Sequence, residues 1–274
     1  MAIKLVAVDL DGTLLNSNKD VSAASAEAIR RAIDSGIQVA LGTGRGIVEC
    51  CDVIAAVPKL RYLVCCTGAV VYDCTARQTL ASCLLPAGDA KLLYRKLKDF
   101  DCIISFFTGG QVYNPLDRMQ NFNHYYPEPV RSLFDRTHTV LEDLDGFVED
   151  LTQPAEKFYI AFADQAECAR AYEAVKDLPF FITNAGYVDF EIMHKDADKG
   201  TGLRALAEHL GLRREEVLAI GDSSNDRQML EYAGTAVVMA NGSDDMKQIA
   251  DLVAPSNDAD GVAWVLDRIR EGKL

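Results

Sequence analysis

The 274-residue sequence predicts an α/β fold, a doubly wound and mainly parallel Rossmann-like sheet into which an α+β domain is inserted. Short β-branched apolar runs alternate with helical patterns near both ends of the chain, and this alternation indicates βαβ units. Between residues 83 and 190 the alternation gives way to strand-like segments mixed with aromatic-rich, irregular sequence. We therefore expect a core formed by residues 1–82 and 191–274 and an inserted domain formed by residues 83–190.

The core elements are predicted from apolar runs and helix-capping residues. The predicted strands, in chain order, are IKLVAV, IQVALGTGR, RYLVCCTGA, VLAIGDSSND and AVVMA. A helix is expected in SAASAEAIRRAIDSG, with Ser22 as its N-cap and Gly36 at its end. A second helix, in TGLRALAEHLGL, places three leucines and an alanine on one face and ends at Gly211.

The inserted domain is expected to contain four strands and two helical stretches. The predicted strands are CIISFF, KFYIAFA, FFITNAG and VDFEIM, and the segment RMQNFNHYYPEPV is expected to be irregular. The parallel-sheet pattern resumes at Lys199, so the insert interrupts one domain rather than following it. We expect the two crossings to act as hinges.

Composition restricts the class of ligand. The formal net charge of −13 and the pI of about 4.7 argue against a nucleic-acid or anionic-membrane partner, because both require basic surfaces. The apolar runs are shorter than the ~20 residues that cross a bilayer, and Asp9 interrupts the first of them, so we expect a cytoplasmic protein that binds small molecules. The eight cysteines and four histidines show neither a disulfide framework nor zinc-ligand spacing.

Acidic and polar residues follow the predicted core strands. They are Asp9 and Asp11 after the first strand, Thr43, Gly44 and Arg45 after the second, Thr67 and Gly68 after the third, and Asp222, Asn225 and Asp226 after the fourth. Because ligands of open parallel sheets bind beyond the carboxyl ends of the strands, we expect these residues to converge on one edge, together with Lys199 at a helix start. The sequence therefore predicts a single polar site there.

The chemistry of such a site is restricted. Carboxylates that share one edge repel one another unless a cation lies among them, and ligation by oxygen alone suits Mg²⁺ rather than zinc. Threonine hydroxyls, a lysine and glycine N–H groups are donors that can hold phosphoryl oxygens. One carboxylate can attack phosphorus, and its neighbour two residues later can transfer the leaving-group proton.

Four segments resemble, in order, the motifs of the haloacid dehalogenase superfamily of phosphohydrolases. They are DLDGTLL, LGTGR, the lysine of DKG, and GDSSND. The insert and the tail DDMKQIADLVAPSNDADGVAWVL resemble the Cof-type subfamily with a type IIB cap. The resemblance covers the full chain and implies a phosphatase whose inserted cap determines specificity.

The resemblance implies a role for each motif residue. Asp9 would be the nucleophile that forms an aspartyl-phosphate, and Asp11 the general acid that later becomes the base for water. Thr43 would bind the phosphoryl group with help from the backbone of Leu10 and Gly44.

The remaining motif residues would compensate charge, bind the metal ion and orient the groups around it. Lys199 would neutralise Asp9 and the transferring phosphate, and Mg²⁺ would be held by Asp9, Asp222 and the backbone carbonyl of Asp11. Asn225 and Asp226 would orient the water ligands of the metal, Lys199 and the phosphate.

Three points stay open at this stage. Arg45 is either a surface arginine or a contact to the phosphate and the cap. Thr67 stands where the family often has asparagine, and MANGS departs from the usual order of that segment, so fine substrate contacts are not carried over.

The function expected from these residues is Mg²⁺-dependent hydrolysis of small phosphate monoesters. Sugar phosphates are the default substrates by resemblance, and pyridoxal phosphate, nucleotides and flavin mononucleotide compete with them. The alternatives are a phosphoryl-binding regulatory protein without turnover and a phosphomutase. Receiver domains gather similar residues, but their acceptor aspartate follows the third strand, whereas Asp9 follows the first.

Overall fold

The computed structural model describes residues 2–126, 130–184 and 188–274. The chain forms two compact units. The first unit consists of Met1–Arg45, Cys50–Ser82 and Asp198–Leu274, and the second unit consists of Gly46–Glu49 and Cys83–Ala197. The inserted segment predicted from the sequence therefore begins where the second unit's main part begins.

The strands of the described residues form two sheets. They are β1 (Leu5–Val8), β2 (Gln38–Gly42), β3 (Tyr62–Cys65), β4 (Val70–Asp73), β5 (Gln78–Ser82), β6 (Cys102–Thr108), β7 (Gln111–Pro115), β8 (His138–Leu141), β9 (Ala155–Phe162), β10 (Phe180–Thr183), β11 (Asp189–His194), β12 (Val217–Gly221), β13 (Thr235–Met239) and β14 (Leu252–Ala254). The first unit holds an eight-stranded sheet of order β14-β13-β12-β1-β2-β3-β4-β5, and the second holds a six-stranded sheet of order β10-β11-β9-β6-β7-β8.

The helices of the described residues connect these strands. They are α1 (Ala23–Asp34), α2 (Cys51–Ala56), α3 (Ala87–Leu97), α4 (Leu116–Gln120), α5 (Arg131–Thr137), α6 (Leu144–Glu149), α7 (Gln165–Val175), α8 (Lys199–His209), α9 (Arg227–Tyr232), α10 (Asp244–Lys247) and α11 (Gly261–Arg270). No helix of the described residues is long and apolar enough to cross a membrane.

The sheet of the first unit is parallel from β14 to β3. Its central strands β1 and β12 consist wholly of buried residues, as expected for parallel strands covered on both faces. The predicted doubly wound, mainly parallel fold is confirmed. The antiparallel hairpin β4–β5 was missed, because β5 is largely exposed and lacks an apolar run.

The two predicted core helices form with the expected ends. The hydroxyl of Ser22 accepts a hydrogen bond from the N–H of Ser25, and Gly36 has a φ of +94° beyond the end of α1. Helix α8 begins at Lys199, the helix start expected for this residue, because the carboxylate of Asp198 accepts from the N–H of Thr201 and caps it there. This capping places Lys199 at the first position of α8.

The sheet of the second unit is antiparallel except for the β7–β8 pair. One of its faces packs with α3, α6 and α7 around a core that includes Leu93, Phe106, Phe158 and Phe190. Strand β11 crosses the boundary expected at residue 190, because its pairing with β9 and β10 continues to His194. The second unit accordingly extends to Ala197, seven residues beyond that boundary.

Other expectations for the insert are met in part. RMQNFNHYYPEPV, expected to be irregular, contains most of α4 and a single turn over Phe122–His124, while Pro127–Pro129 lie outside the described residues. Strands β6, β9, β10 and β11 form where four strands were predicted, although Ala185 and Gly186, at the end of FFITNAG, also lie outside the described residues. Strands β7 and β8 were not predicted.

Candidate active site

The carboxyl edge of the first unit's sheet holds a buried lysine between two aspartates. Asp9 follows β1 directly, and Lys199 opens α8. The Lys199 Nζ donates to Asp9 Oδ1 at 2.6 Å and to Asp226 Oδ1 at 2.6 Å. Its side chain is fully buried, and both carboxylates raise the pKa of the ammonium group against the opposing effect of burial. This lysine is therefore a fixed positive charge at the strand end.

Asp226 is held in place by backbone donors as well as by Lys199. Its Oδ2 accepts from the N–H of Asp222 at 2.9 Å and from the N–H of Ser223 at 3.1 Å. A Cβ at Gly221 would lie 2.6 Å from this carboxylate, so the close packing requires glycine. Because N–H donors occupy both of its oxygens, Asp226 is suited to orient Lys199 and the strand end.

Asp9, Asp222 and Asp226 form a compact carboxylate cluster. One oxygen of each lies within 4.8 Å of the others, and the Thr13 hydroxyl donates to Asp222 Oδ1 at 2.8 Å. Burial, followed by the charge of Asp226, raises the pKa of Asp9 well above its ordinary value and also raises that of Asp222. One lysine thus leaves part of the cluster's negative charge uncompensated.

This donor set fits a hard divalent cation. Carboxylate oxygens are its preferred ligands, and a cation would compensate the charge that raises the two pKa values. Asp226 already accepts three hydrogen bonds, so Asp9 and Asp222 are the carboxylates suited to ligation. The Asp11 side chain is not part of this cluster.

The Asp11 carboxylate instead binds two basic side chains. Arg45 donates from Nε to Oδ2 at 3.0 Å and from Nη2 to Oδ1 at 2.9 Å, and Lys19 Nζ lies 3.1 Å from Oδ1. Burial would raise the pKa of Asp11, but Arg45 and then Lys19 outweigh burial and lower it. Arg45 is therefore a partner of Asp11 here.

Two residues of the site were missed in the sequence analysis. Thr13 belongs to the DLDGTLL motif, and its position four residues after Asp9 was a signal that could have identified it. Lys19 adopts a left-handed φ of +65° in the turn after the motif, and no local sequence pattern shows that it will reach Asp11.

Thr43 lies at the end of β2, beside β1 in the sheet. Its N–H donates to the Val64 carbonyl at 2.8 Å, and its own carbonyl accepts from the N–H of Thr67 at 3.0 Å. Its hydroxyl accepts from the N–H of Arg45 at 3.1 Å. The loop Thr43–Arg45, which we call the phosphoryl-binding loop for the role expected of it, is thus tied to the turn after β3.

The other predicted residues lie on the same unit. Leu10 is fully buried, and its carbonyl accepts from the N–H of Leu15 at 2.9 Å. Gly44 is half-buried, and Asn225 Oδ1 accepts from the Ser223 hydroxyl at 2.8 Å. The structure therefore joins Asp9, Lys199, Asp222 and Asp226 through direct contacts or close approach, and it places the rest on the adjoining loops.

The turn after β3 supports α8. Thr67 has φ +53°, which is unusual for a non-glycine residue, and Gly68 follows with φ +90°. A Cβ at Gly68 would lie 1.9 Å from the carbonyl oxygen of Asp198, the residue before Lys199. The turn and the start of α8 can approach this closely because residue 68 is glycine.

The close contact between Gly68 and Asp198 predicts that Gly68→Ala strongly lowers the stability of the fold. The variant should lose about 3–5 kcal/mol in the free energy of unfolding, because a backbone atom must move. The matched control is Gly36→Ala, at φ +94° with open space around it, which should lose only about 1–2 kcal/mol from the left-handed backbone. Urea unfolding followed by the fluorescence of Trp264, the single tryptophan, measures both, and equal losses would contradict the close contact.

The chain matches the family model described as haloacid dehalogenase-like hydrolase over residues 6–266. Two curated Bacillus subtilis proteins are similar over nearly their whole lengths. Phosphatase YwpJ is 31% identical, covering 97% of this chain and 100% of that protein. The 5-amino-6-(5-phospho-D-ribitylamino)uracil phosphatase YwtE is 31% identical, covering 99% of each.

Solved structures agree on the fold. A haloacid dehalogenase-like hydrolase from Bacteroides thetaiotaomicron has a TM-score of 0.85 at 26% identity, covering 97% of this chain and 99% of that one. The subclass IIB sugar phosphatase BT4131 has a TM-score of 0.79 at 18% identity, covering 99% of this chain and 100% of that one, so the type IIB resemblance holds at the level of the fold. The chain therefore belongs to the haloacid dehalogenase-like hydrolase family and is an enzyme of its phosphatase class.

Proposed function

We propose that this protein is a Mg²⁺-dependent phosphatase that hydrolyses small phosphate monoesters through an aspartyl-phosphate on Asp9. The observation that carries the proposal is the buried ammonium group of Lys199, 2.6 Å from both Asp9 and Asp226, beside the Asp222 carboxylate. A fixed cation next to a carboxylate at a strand end suits a nucleophile that must approach a phosphate dianion.

The first chemical step forms the covalent intermediate. A carboxylate oxygen of Asp9 attacks phosphorus, the bond from phosphorus to the ester oxygen breaks, and Asp11 gives its proton to the leaving alkoxide. The hydroxyl of Thr43 and the N–H groups of Leu10 and Gly44 bind the phosphoryl oxygens. Lys199 compensates the charge on Asp9 and on the transferred group.

The second step regenerates the enzyme. Asp11, now a carboxylate, takes a proton from water, whose oxygen attacks the aspartyl-phosphate and releases inorganic phosphate. Asp9 and Asp222, with the backbone carbonyl of Asp11, would hold Mg²⁺, while Asn225 and Asp226 orient the surrounding groups. The metal ion supplies positive charge that lowers the repulsion between the carboxylates and the phosphate.

Asp11 must change partners before it acts. In the structure Arg45 and Lys19 hold it as a carboxylate. A phosphate dianion is a competing partner for the guanidinium of Arg45, so substrate binding would give Arg45 a phosphate contact and release Asp11. The released carboxylate would then take a proton from solvent, and this is the proton that it gives to the leaving group. This exchange reconciles the observed pair with the phosphate role expected for Arg45.

We propose sugar phosphates as the first substrates to test, with the second unit as the cap that selects among them. YwtE is named for a substrate that carries a phosphorylated ribityl chain, and this polyol phosphate supports the choice. A phosphate-release screen over sugar phosphates, pyridoxal phosphate, nucleotides and flavin mononucleotide tests the proposal. Preference for a ligand other than sugar phosphates would redirect the substrate assignment, and no release from any monoester would contradict the function.

Metal removal gives a direct prediction. EDTA should abolish phosphate release, and Mg²⁺ should restore it, because the carboxylate cluster needs a compensating cation. Ca²⁺ should restore little, since it prefers more ligands and longer distances. A direct control is Mg²⁺ binding measured by calorimetry on Asp222→Asn, which should bind more weakly than the parent protein. Full activity in excess EDTA would contradict the metal assignment.

A further inference from the structure

A buried histidine of the second unit lies between two acceptors. His138, the first residue of β8, has a side chain that is 1% exposed. Its Nδ1 is 2.6 Å from Asn114 Oδ1, and its Nε2 is 2.9 Å from Glu49 Oε1. None of these three residues belongs to a motif of the sequence.

The orientation of Asn114 shows that Nδ1 of the histidine carries a proton. The Asn114 Nδ2 donates to the carbonyl oxygen of Ile104 at 3.1 Å and to the hydroxyl oxygen of Ser105 at 2.8 Å. With its amino group engaged in this way, the amide presents its oxygen to His138. An oxygen at 2.6 Å requires an N–H on the ring.

The second ring nitrogen faces a carboxylate. Glu49 Oε2 accepts from the N–H of Gly46 at 2.6 Å, and Oε1 points to His138 Nε2. Burial would raise the pKa of Glu49, but the hydrogen bond and charge of His138 outweigh burial and lower it. A proton lies between Nε2 and Oε1, because two bare acceptors 2.9 Å apart would repel each other, so both ring nitrogens of His138 are bound.

Among the described residues, few other charges face this pair. Lys157, which forms an ion pair with Glu191 at 2.5 Å, favours the charged form of Glu49, and the neutral Tyr126 lies close to Glu49. Two aromatic rings lie against the ring of His138, with the centroid of Phe134 at 4.1 Å and that of Phe107 at 6.4 Å. The side chains of His138 and Glu49 are accordingly only 1% and 9% exposed.

Glu49 connects the histidine to the proposed site through the chain. Its side chain accepts a hydrogen bond from the N–H of Gly46 and so fixes the four-residue segment Gly46–Glu49. This segment directly follows the phosphoryl-binding loop Thr43–Arg45. Hydrogen bonds with the turn after β3 hold the front of that loop. Its far end is held by the segment that His138 binds.

We infer that His138 is a positioning residue for the phosphoryl-binding loop, acting through Glu49. The inference rests on the proposed phosphatase function. Without the hydrogen bond from His138, the Glu49 carboxylate loses the partner that fixes it beside Gly46. The segment Gly46–Glu49 is then released, and Arg45 and Gly44 lose their fixed position.

Two substitutions separate the hydrogen bond from the ring packing. In Glu49→Gln the amide oxygen can accept from Gly46, and its amino group can donate to Nε2 of His138 while Nδ1–H still binds Asn114. The segment is then still held. His138→Phe keeps the ring packing but removes both hydrogen-bonding nitrogens, so the segment is released.

The kinetic test measures kcat and KM separately for p-nitrophenyl phosphate at pH 7. His138→Phe should lose about 10- to 100-fold in kcat/KM, the scale of a small misplacement of binding groups, and part of the loss should lie in KM because the loop is expected to bind the phosphoryl group. Glu49→Gln should lose far less, because its amide still holds the segment. His124→Phe, an exposed ring of the same unit, is the control and should follow the parent.

A second readout does not require activity. Hydrogen exchange of the N–H of Gly46, which donates to Glu49, should be slow in the parent protein and in Glu49→Gln and faster in His138→Phe. Equal exchange in the parent and in His138→Phe would overturn the inference, as would a kinetic loss in Glu49→Gln as large as that in His138→Phe. If no monoester is hydrolysed, the proposed function fails, and the exchange rates still decide whether His138 holds the segment.

Discussion

Replacing Asp9 with asparagine is expected to reduce turnover below detection. The amide keeps the shape of the carboxylate and can still accept one hydrogen bond from Lys199, whose other partner, Asp226, is unchanged. It has neither the charge that attacks phosphorus nor the oxygen that binds a metal ion strongly. The change therefore removes the chemistry while leaving the surrounding contacts.

The measurement is phosphate release under single-turnover conditions, with protein in excess over substrate. Folding is checked by urea unfolding followed by Trp264 fluorescence, which should give a cooperative transition similar to that of the parent protein. Substantial release by a folded Asp9→Asn variant would show that another group is the nucleophile.

Lys199→Met is expected to lose both turnover and stability. Methionine fills a similar volume, but it leaves the buried carboxylates of Asp9 and Asp226 facing each other without a cation. Breaking a buried ion pair by removing one partner costs about 3–5 kcal/mol, and we expect a loss of that size in the free energy of unfolding at pH 7. Turnover should fall by at least about 10³-fold, since charge compensation at the reacting group is lost.

The pH dependence of this loss has a definite sign. Burial and Asp226 already raise the pKa of Asp9 in the folded protein, and removing Lys199 raises it further. A group whose folded pKa is raised binds protons more tightly in the folded state, so the stability of Lys199→Met falls as pH rises. The deficit relative to the parent should therefore shrink as the pH is lowered from 7 towards 4.

Lys4→Met is the matched control for this stability measurement. Lys4 also forms an ion pair, with Glu216, but 56% of its side chain is exposed, so its removal should change unfolding little. Equal losses for Lys199→Met and Lys4→Met would contradict the role of burial at Lys199.

The sequence was most informative where local pattern and tertiary position agree. The runs that form β1 and β12 are apolar on both faces, and each is followed directly by the aspartates of a motif, so strand, edge and site residues could be predicted together. The ends of α1 could be predicted in the same way, because Ser22 is a residue that caps helices and Gly36 is one that readily adopts the positive φ found after a helix. These features depend on residues that are close along the chain.

Features that depend on distant pairing could not be predicted in this way. Strand β11 extends to His194 because it pairs with its neighbours, although its last residues carry no separate strand signal. The contact of Lys19 with Asp11 requires a left-handed backbone at Lys19, and a lysine gives no sequence signal for that conformation. The hydrogen bond between Glu49 and His138 joins residues 89 positions apart, so it could not be predicted from composition or from the spacing of residues.

The central claim is that Asp9 carries the phosphoryl group and Asp11 transfers protons. Replacing Asp11 with asparagine removes proton transfer, typically worth about 10²–10⁴-fold, but leaves Asp9 and the backbone of residue 11 in place. With p-nitrophenyl phosphate, whose leaving group needs little protonation, Asp9 should still be phosphorylated while the water that releases the phosphate is not activated.

Intact-protein mass spectrometry after acid quench tests this claim most directly. Asp11→Asn incubated with Mg²⁺ and p-nitrophenyl phosphate should gain the mass of one phosphoryl group, and the double variant that also carries Asp9→Asn should gain none. An adduct of equal abundance on the double variant would place the phosphoryl group on another residue and contradict the mechanism.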